Sequence, residues 1–110
     1  MRKIVIFAGL LNILASAVCA EPLNCENLAK EGRQLAQKVS YVMEITREAE
    51  NKGKPDYSNI FGFSNLKYDR LLLESNISLQ RDYRCPIEAI VVSGMNNLTS
   101  FMAERGQPLR

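Results

Sequence analysis

Cys25 and Cys85 stand about 60 residues apart in a chain of 110. Joined, they close most of the mature protein into one loop, a constraint worth roughly 4 kcal/mol in the chain-entropy model. They are expected to be joined because the chain reads as exported. Arg2-Lys3 is a short positive segment, and Ile4 to Ala15 is apolar apart from Gly9 and Asn12. Ser16 to Ala20 then supplies small residues, with Val18 and Ala20 at the −3 and −1 positions of a cleavage site. Residues 1–20 are read as a cleaved signal peptide and 21–110 as one domain, periplasmic or secreted.

Two other readings of that segment fit less well. A transmembrane span needs about 20 apolar residues, whereas this run contains Asn12, stops at Glu21-Pro22 and has no basic flank behind it. Acylation of Cys19 would favour a Leu at −3 and a Gly or Ala at −1, and Ser16-Ala17-Val18 has neither. No stable membrane anchor is expected.

Cleavage changes the balance of charge and of cysteines. Two of the 14 basic residues, Arg2 and Lys3, leave with the signal, so the rest match the 12 acidic ones and the mature chain is neutral. A neutral chain has no basic patch with which to bind phosphates, so no nucleic acid partner is expected. Cys19 leaves too, and Cys25 and Cys85 remain as an even pair in an oxidising compartment. With no His in the chain and no third mature Cys, no metal or other cofactor is expected.

Hydrophobic spacing divides the mature chain into three helices, over about 24–50, 64–83 and 86–105. Asn24 is a good N-cap for the first, and Glu26 suits the positive end of its dipole. Leu28, Gly32, Leu35, Val39, Val42, Thr46 and Ala49 then recur at helical spacing. Gly53, Pro55 and Gly62 punctuate a loop, and Ser64 is read as the N-cap of the second helix. Asp69, Asn76 and Gln80 fall inside that helix's apolar arc, which calls for buried hydrogen bonds or a wet groove. Asp69 is expected to be held by a structural hydrogen bond or by a partner such as Arg105. Pro86 is placed at the first position of the third helix, and residues 107–110 as a frayed tail.

These pieces predict an all-α protein, a small antiparallel three-helix bundle running up-down-up with one intramolecular disulfide. In it the first and third helices start at the same end, where Cys25 and Cys85 meet. Gly32 and Gly94 lie seven and nine residues beyond those cysteines, at similar height. They are therefore read as helix-contact positions, where a close approach offsets their propensity cost of about 1 kcal/mol each.

Chemistry is hard to find. Without His or a spare thiol there is no nucleophilic triad or Cys–His pair. Glu44 and Glu48 flank Arg47 on a polar face, and no glycine-rich phosphate loop occurs. No enzyme and no catalytic residue is expected. The sequons Asn76-Ile77-Ser78 and Asn97-Leu98-Thr99 read as chance matches.

The aromatic residues are unevenly spread, with Tyr41, Tyr57, Phe61, Phe63 and Tyr68 gathered where the first helix, the loop and the second helix meet. Tyr41 and Ile45 fall off the main apolar seam. Tyr41, Ile45, Tyr57, Ile60 and Phe61 are the candidate partner-binding residues, since exposed aromatic surface is what binding hot spots use. The competing role, stronger for Phe61 and Phe63, is to plug the open end of the bundle. The leading expectation is a non-enzymatic module that binds another protein, such as an inhibitor, an immunity protein or an assembly adaptor. The alternatives are a holdase chaperone, or a carrier of a small apolar ligand lined by Met43, Met95, Phe101 and Met102.

Overall fold

A computed structural model describes residues 23–109; the segment 1–20, read from the sequence as a signal peptide, lies outside them. Among the described residues there are three α-helices and no strand: α1 (Cys25–Asn51), α2 (Leu66–Asp82) and α3 (Ala89–Glu104). All three pack on one another, and the pairs that touch give their directions. Leu28 meets Asn76 while Lys38 meets Asp69, so α2 runs against α1. Arg33 meets Glu88 and Glu50 meets Arg105, so α3 runs with α1. The bundle is up-down-up, and its core is built from residues such as Val39, Val42, Leu66, Leu73, Val91, Leu98 and Phe101.

α1 starts as its sequence implies, with the Asn24 side chain accepting from the Asn27 amide at 2.8 Å. α2 starts differently. Ser64 does not cap it. Instead Gly62 turns the chain with φ 81° and a 3-10 turn over Phe63–Asn65 runs straight into Leu66. A Cβ on Gly62 would lie 2.7 Å from a Val42 methyl, so the loop can reach α1 here only through glycine. Burial of Phe63 fixes the entry in place of a side-chain cap.

The third helix also begins late, at Ala89 rather than Pro86. α2 ends in a Schellman closure, with the Cys85 amide donating to the Gln80 carbonyl at 2.8 Å and Arg84 to Arg81. The left-handed position is taken by Arg84, φ 58°. Proline then holds the residue before it extended, and backbone from Cys85 to Glu88 stays non-helical. Glu88 does not cap α3, because its carboxylate takes the Arg33 guanidinium at 2.7 Å. Nor do residues 107–109 fray. Gly106 closes α3, the Gln107 amide returns to Met102 O, and Leu109 packs on the core while its carbonyl accepts from Arg70.

Cys25 and Cys85 are bonded, with their Cα atoms 5.4 Å apart. The two glycines are contact positions but do not face each other. A Cβ on Gly94 would lie 3.1 Å from that of Ala36, so α3 closes on α1 there. Gly32 meets α2 as well as α3: its Cβ would lie 2.6 Å from Asn76 Oδ1, 3.2 Å from a Val91 methyl of α3 and 3.3 Å from Gln80 Nε2. The reason is the bulk of two polar side chains that α2 turns inward at that level.

Candidate functional site

Those polar residues of α2 form a buried chain. Asn76 Nδ2 donates to the Leu28 carbonyl at 2.8 Å and to Glu31, and Asn76 Oδ1 accepts from Gln80 Nε2 at 2.7 Å. They brace α2 against α1 and leave Asn76 buried, out of reach of glycosylation in the folded state, whereas Asn97 is exposed. Asp69 is 1% exposed and is met by Lys38 at 3.2 Å. Arg105 is not its partner, because that side chain follows the last turn of α3 and is engaged by Glu50.

At the end of the bundle away from the disulfide, the aromatic group divides in two. One half is a plug. Tyr57 stacks on Phe63 with ring centroids 4.7 Å apart, and Phe63 meets Phe101 edge-on at 6.5 Å. The Arg105 guanidinium lies 3.7 Å from the Phe101 centroid and forks onto both Glu50 oxygens, while the Tyr57 hydroxyl donates to Glu50 at 2.6 Å. This network ties the last turns of α1 and α3 to the loop. Ile60 packs on the core beside it. Tyr57 and Ile60 are therefore structural rather than free surface, because a hydroxyl bonded to Glu50 and a ring stacked on Phe63 anchor the loop from within.

The Arg105 guanidinium, helped by the Tyr57 hydroxyl, holds the Glu50 carboxyl below the ordinary glutamate range. A carboxylate with a lowered folded pKa stabilises above its unfolded value, about 4.3. That stability is lost as the pH falls through the folded value. Glu50→Gln should thus melt below the wild type near neutral pH, and the gap should narrow as the pH falls below the ordinary glutamate value of about 4.3. Thermal melts across that range check it; a gap that does not narrow would show that the Glu50 charge is not what matters.

The other half faces solvent. Tyr41 is 56% exposed, Phe61 71% and Tyr68 63%, with Ile45 and Leu72 half-buried beside them. They belong to one face. Lys38, one turn before Tyr41, reaches across to Asp69, the neighbour of Tyr68. Gly62, next to Phe61, lies on Val42, next to Tyr41. Tyr41, Phe61 and Tyr68 thus border the seam between α1 and α2 that the Lys38–Asp69 pair crosses. Of the sequence candidates, Tyr41, Ile45 and Phe61 meet here. Tyr68 joins them, an aromatic outside the candidate partner-binding set. Its position off the apolar arc of α2 was the available signal. Phe61 and Phe63, two residues apart, separate into surface and plug because Gly62 reverses the chain between them.

Among the described residues no cluster of His, Cys, Asp or Glu is suited to hold a metal, and no helix is long and apolar enough to cross a membrane. Met43, Met102 and Phe101 are buried as part of the core. Comparison with protein families, curated proteins and solved structures finds no match.

Proposed function

We propose that this chain is an exported protein-binding module that holds a protein partner on the outer α1–α2 seam, through Tyr41, Phe61 and Tyr68. The observation that carries the reading is the exposure of these three rings on one face, at a place where the neighbouring aromatics Tyr57 and Phe63 have been drawn into the fold. Large exposed apolar rings in a cluster mark interaction sites far more often than single ones do, and tyrosine is enriched among the few residues that dominate binding energy. Export is supported by the segment 1–20 and by the disulfide. An inhibitor, an immunity protein or an assembly adaptor would each use such a surface without any catalytic group.

Truncating a hot-spot side chain costs about 2 kcal/mol or more in binding, while exposed substitutions usually move stability by under about 0.5 kcal/mol. Tyr41→Ala, Phe61→Ala and Tyr68→Ala should therefore melt close to the wild type. At least two of them should bind the partner, captured from the extracytoplasmic fraction of the source cells, about 30-fold more weakly. Three variants that titrate that partner with wild-type affinity would remove this face from consideration.

A further inference from the structure

Among the described residues Asp69 is the one buried acid, and only half of its carboxylate is answered. Lys38 donates to Oδ1 at 3.2 Å, while Oδ2 has no donor among the described residues. An ionised carboxylate accepts at both oxygens, and a buried one left partly unsatisfied is costly. The ammonium on Oδ1 is not itself buried. The Lys38 side chain is 49% exposed and its charge sits on a flexible four-carbon stem, so it can swing into solvent. A donor that took its place would lie within reach of Oδ2 as well, because the two oxygens share one carbon.

We infer that the protein partner inserts an arginine side chain here, displacing Lys38 and forking onto both oxygens of Asp69, an inference that rests on the aromatic face being the binding surface. The chemistry of the site sets the occupant. Only a cation can replace Lys38 without leaving a buried carboxylate unpaired. An ammonium would repeat the single contact that Lys38 already makes. A planar guanidinium instead offers two parallel N–H groups matched to the two oxygens. The surroundings suit it too. Tyr41 stands one turn beyond Lys38 and Tyr68 is next to Asp69, both exposed, and guanidinium groups stack on aromatic faces. The protein makes the same combination within itself, where Arg105 forks onto Glu50 and lies 3.7 Å from the Phe101 centroid. Little opposes a second cation at this point. Arg70 is turned to Thr99 and Leu109, Lys67 lies on the far side of α2 by helical phase, and Lys30 stands two turns away on α1. Glu31 and Glu48, exposed and in phase with the seam on α1, add negative charge to it.

Titration of the disulfide-bonded chain with Nα-acetyl-arginine methylamide and its lysine counterpart tests this, followed by NMR at the Asp69 carboxyl carbon and the rings of Tyr41 and Tyr68. The arginine probe should saturate in the millimolar range, and the lysine probe should bind at least about fivefold more weakly. Lys38→Gln keeps a donor for Oδ1 and removes the competing charge, so it should bind the arginine probe at least about fivefold more tightly than the wild type does. Asp69→Asn should lose the preference for arginine; if that variant does not fold, Lys38→Gln decides alone. No saturable shift, equal binding of the two probes, or a Lys38→Gln chain that binds no more tightly each overturns the inference. The captured partner gives a separate arm, since blocking its arginines with phenylglyoxal should abolish binding. A partner that still binds when so blocked overturns the arginine anchor, and the alanine variants of Tyr41, Phe61 and Tyr68 then show whether the aromatic face itself stands.

Discussion

Replacing Cys25 and Cys85 together by serine is expected to cost about 2–5 kcal/mol, the usual effect of removing a native disulfide from a small domain. Much of this acts on the unfolded chain, where a bridge across a separation of 60 residues forbids most extended conformations. The native state adds a local reason. The segment from Cys85 to Glu88 has no helical hydrogen bonds of its own, and it follows a left-handed Arg84 that a non-glycine residue adopts only at some cost. Beyond the bond to Cys25, the start of α3 is held to α1 by the Arg33–Glu88 pair, which is half-exposed and so worth at most about 1 kcal/mol. For a domain of this size each kcal/mol moves the melting temperature by roughly 4–8 °C, so a fall of at least about 8 °C should be seen. Thermal melts of the double variant, and of the wild type with and without reductant, measure it. A double variant that melts with the wild type would mean that packing of α1 on α3 suffices alone.

Gly32→Ala should destabilise by about 2 kcal/mol or more, against the sign that helix propensity assigns. Alanine in mid-helix is favoured over glycine by about 1 kcal/mol, and α1 is continuous on both sides of Gly32. But the new Cβ would lie 2.6 Å from Asn76 Oδ1, so the asparagine must move. Moving it loosens its bonds to Leu28 and Glu31 and removes the acceptor of Gln80. Gln80 is fully buried and its Oε1 already lacks a partner among the described residues, so it has no second site to turn to. Each buried polar group left unsatisfied costs about 1–3 kcal/mol, which exceeds the propensity gain. Urea unfolding of Gly32→Ala, Asn76→Ala and the double variant separates the terms. The cost of Gly32→Ala should largely vanish where Asn76 is already alanine, because the two residues then no longer collide. Gly32→Ala at or above wild-type stability would show that α2 can shift away cheaply.

The three helices, the directions they run and the pairing of the cysteines were legible because each depends on local or near-local information. Periodicity places the apolar faces, Asn24 caps α1 by its own side chain, and the two cysteines after residue 20 admit one pairing with each other. The helix starts at Ser64 and Pro86 were misplaced where tertiary demands overrode local preference. Phe63 had to be buried on Phe101 before α2 could begin, and Glu88 gave its carboxylate to Arg33 instead of the α3 N-terminus.

The aromatic surface shows the same division. Composition alone located five rings near one end of the bundle, and helical phase alone put Tyr41 off the seam. Which rings plug the end and which stay exposed could not be read that way. The choice rests on where Gly62 turns, on Arg105 forking onto Glu50, 55 residues away in the chain, whose carboxylate captures Tyr57, and on Lys38 crossing to Asp69. Likewise Asn76 and Gln80 appeared as polar intrusions in an apolar arc until Gly32 opened the space that receives them. Periodicity, capping and cysteine count act through neighbours in the chain, so the sequence by itself determined the elements and their order. The partners of buried polar groups and the fate of each aromatic depend on side chains from distant segments arriving together, and only the tertiary structure decided those.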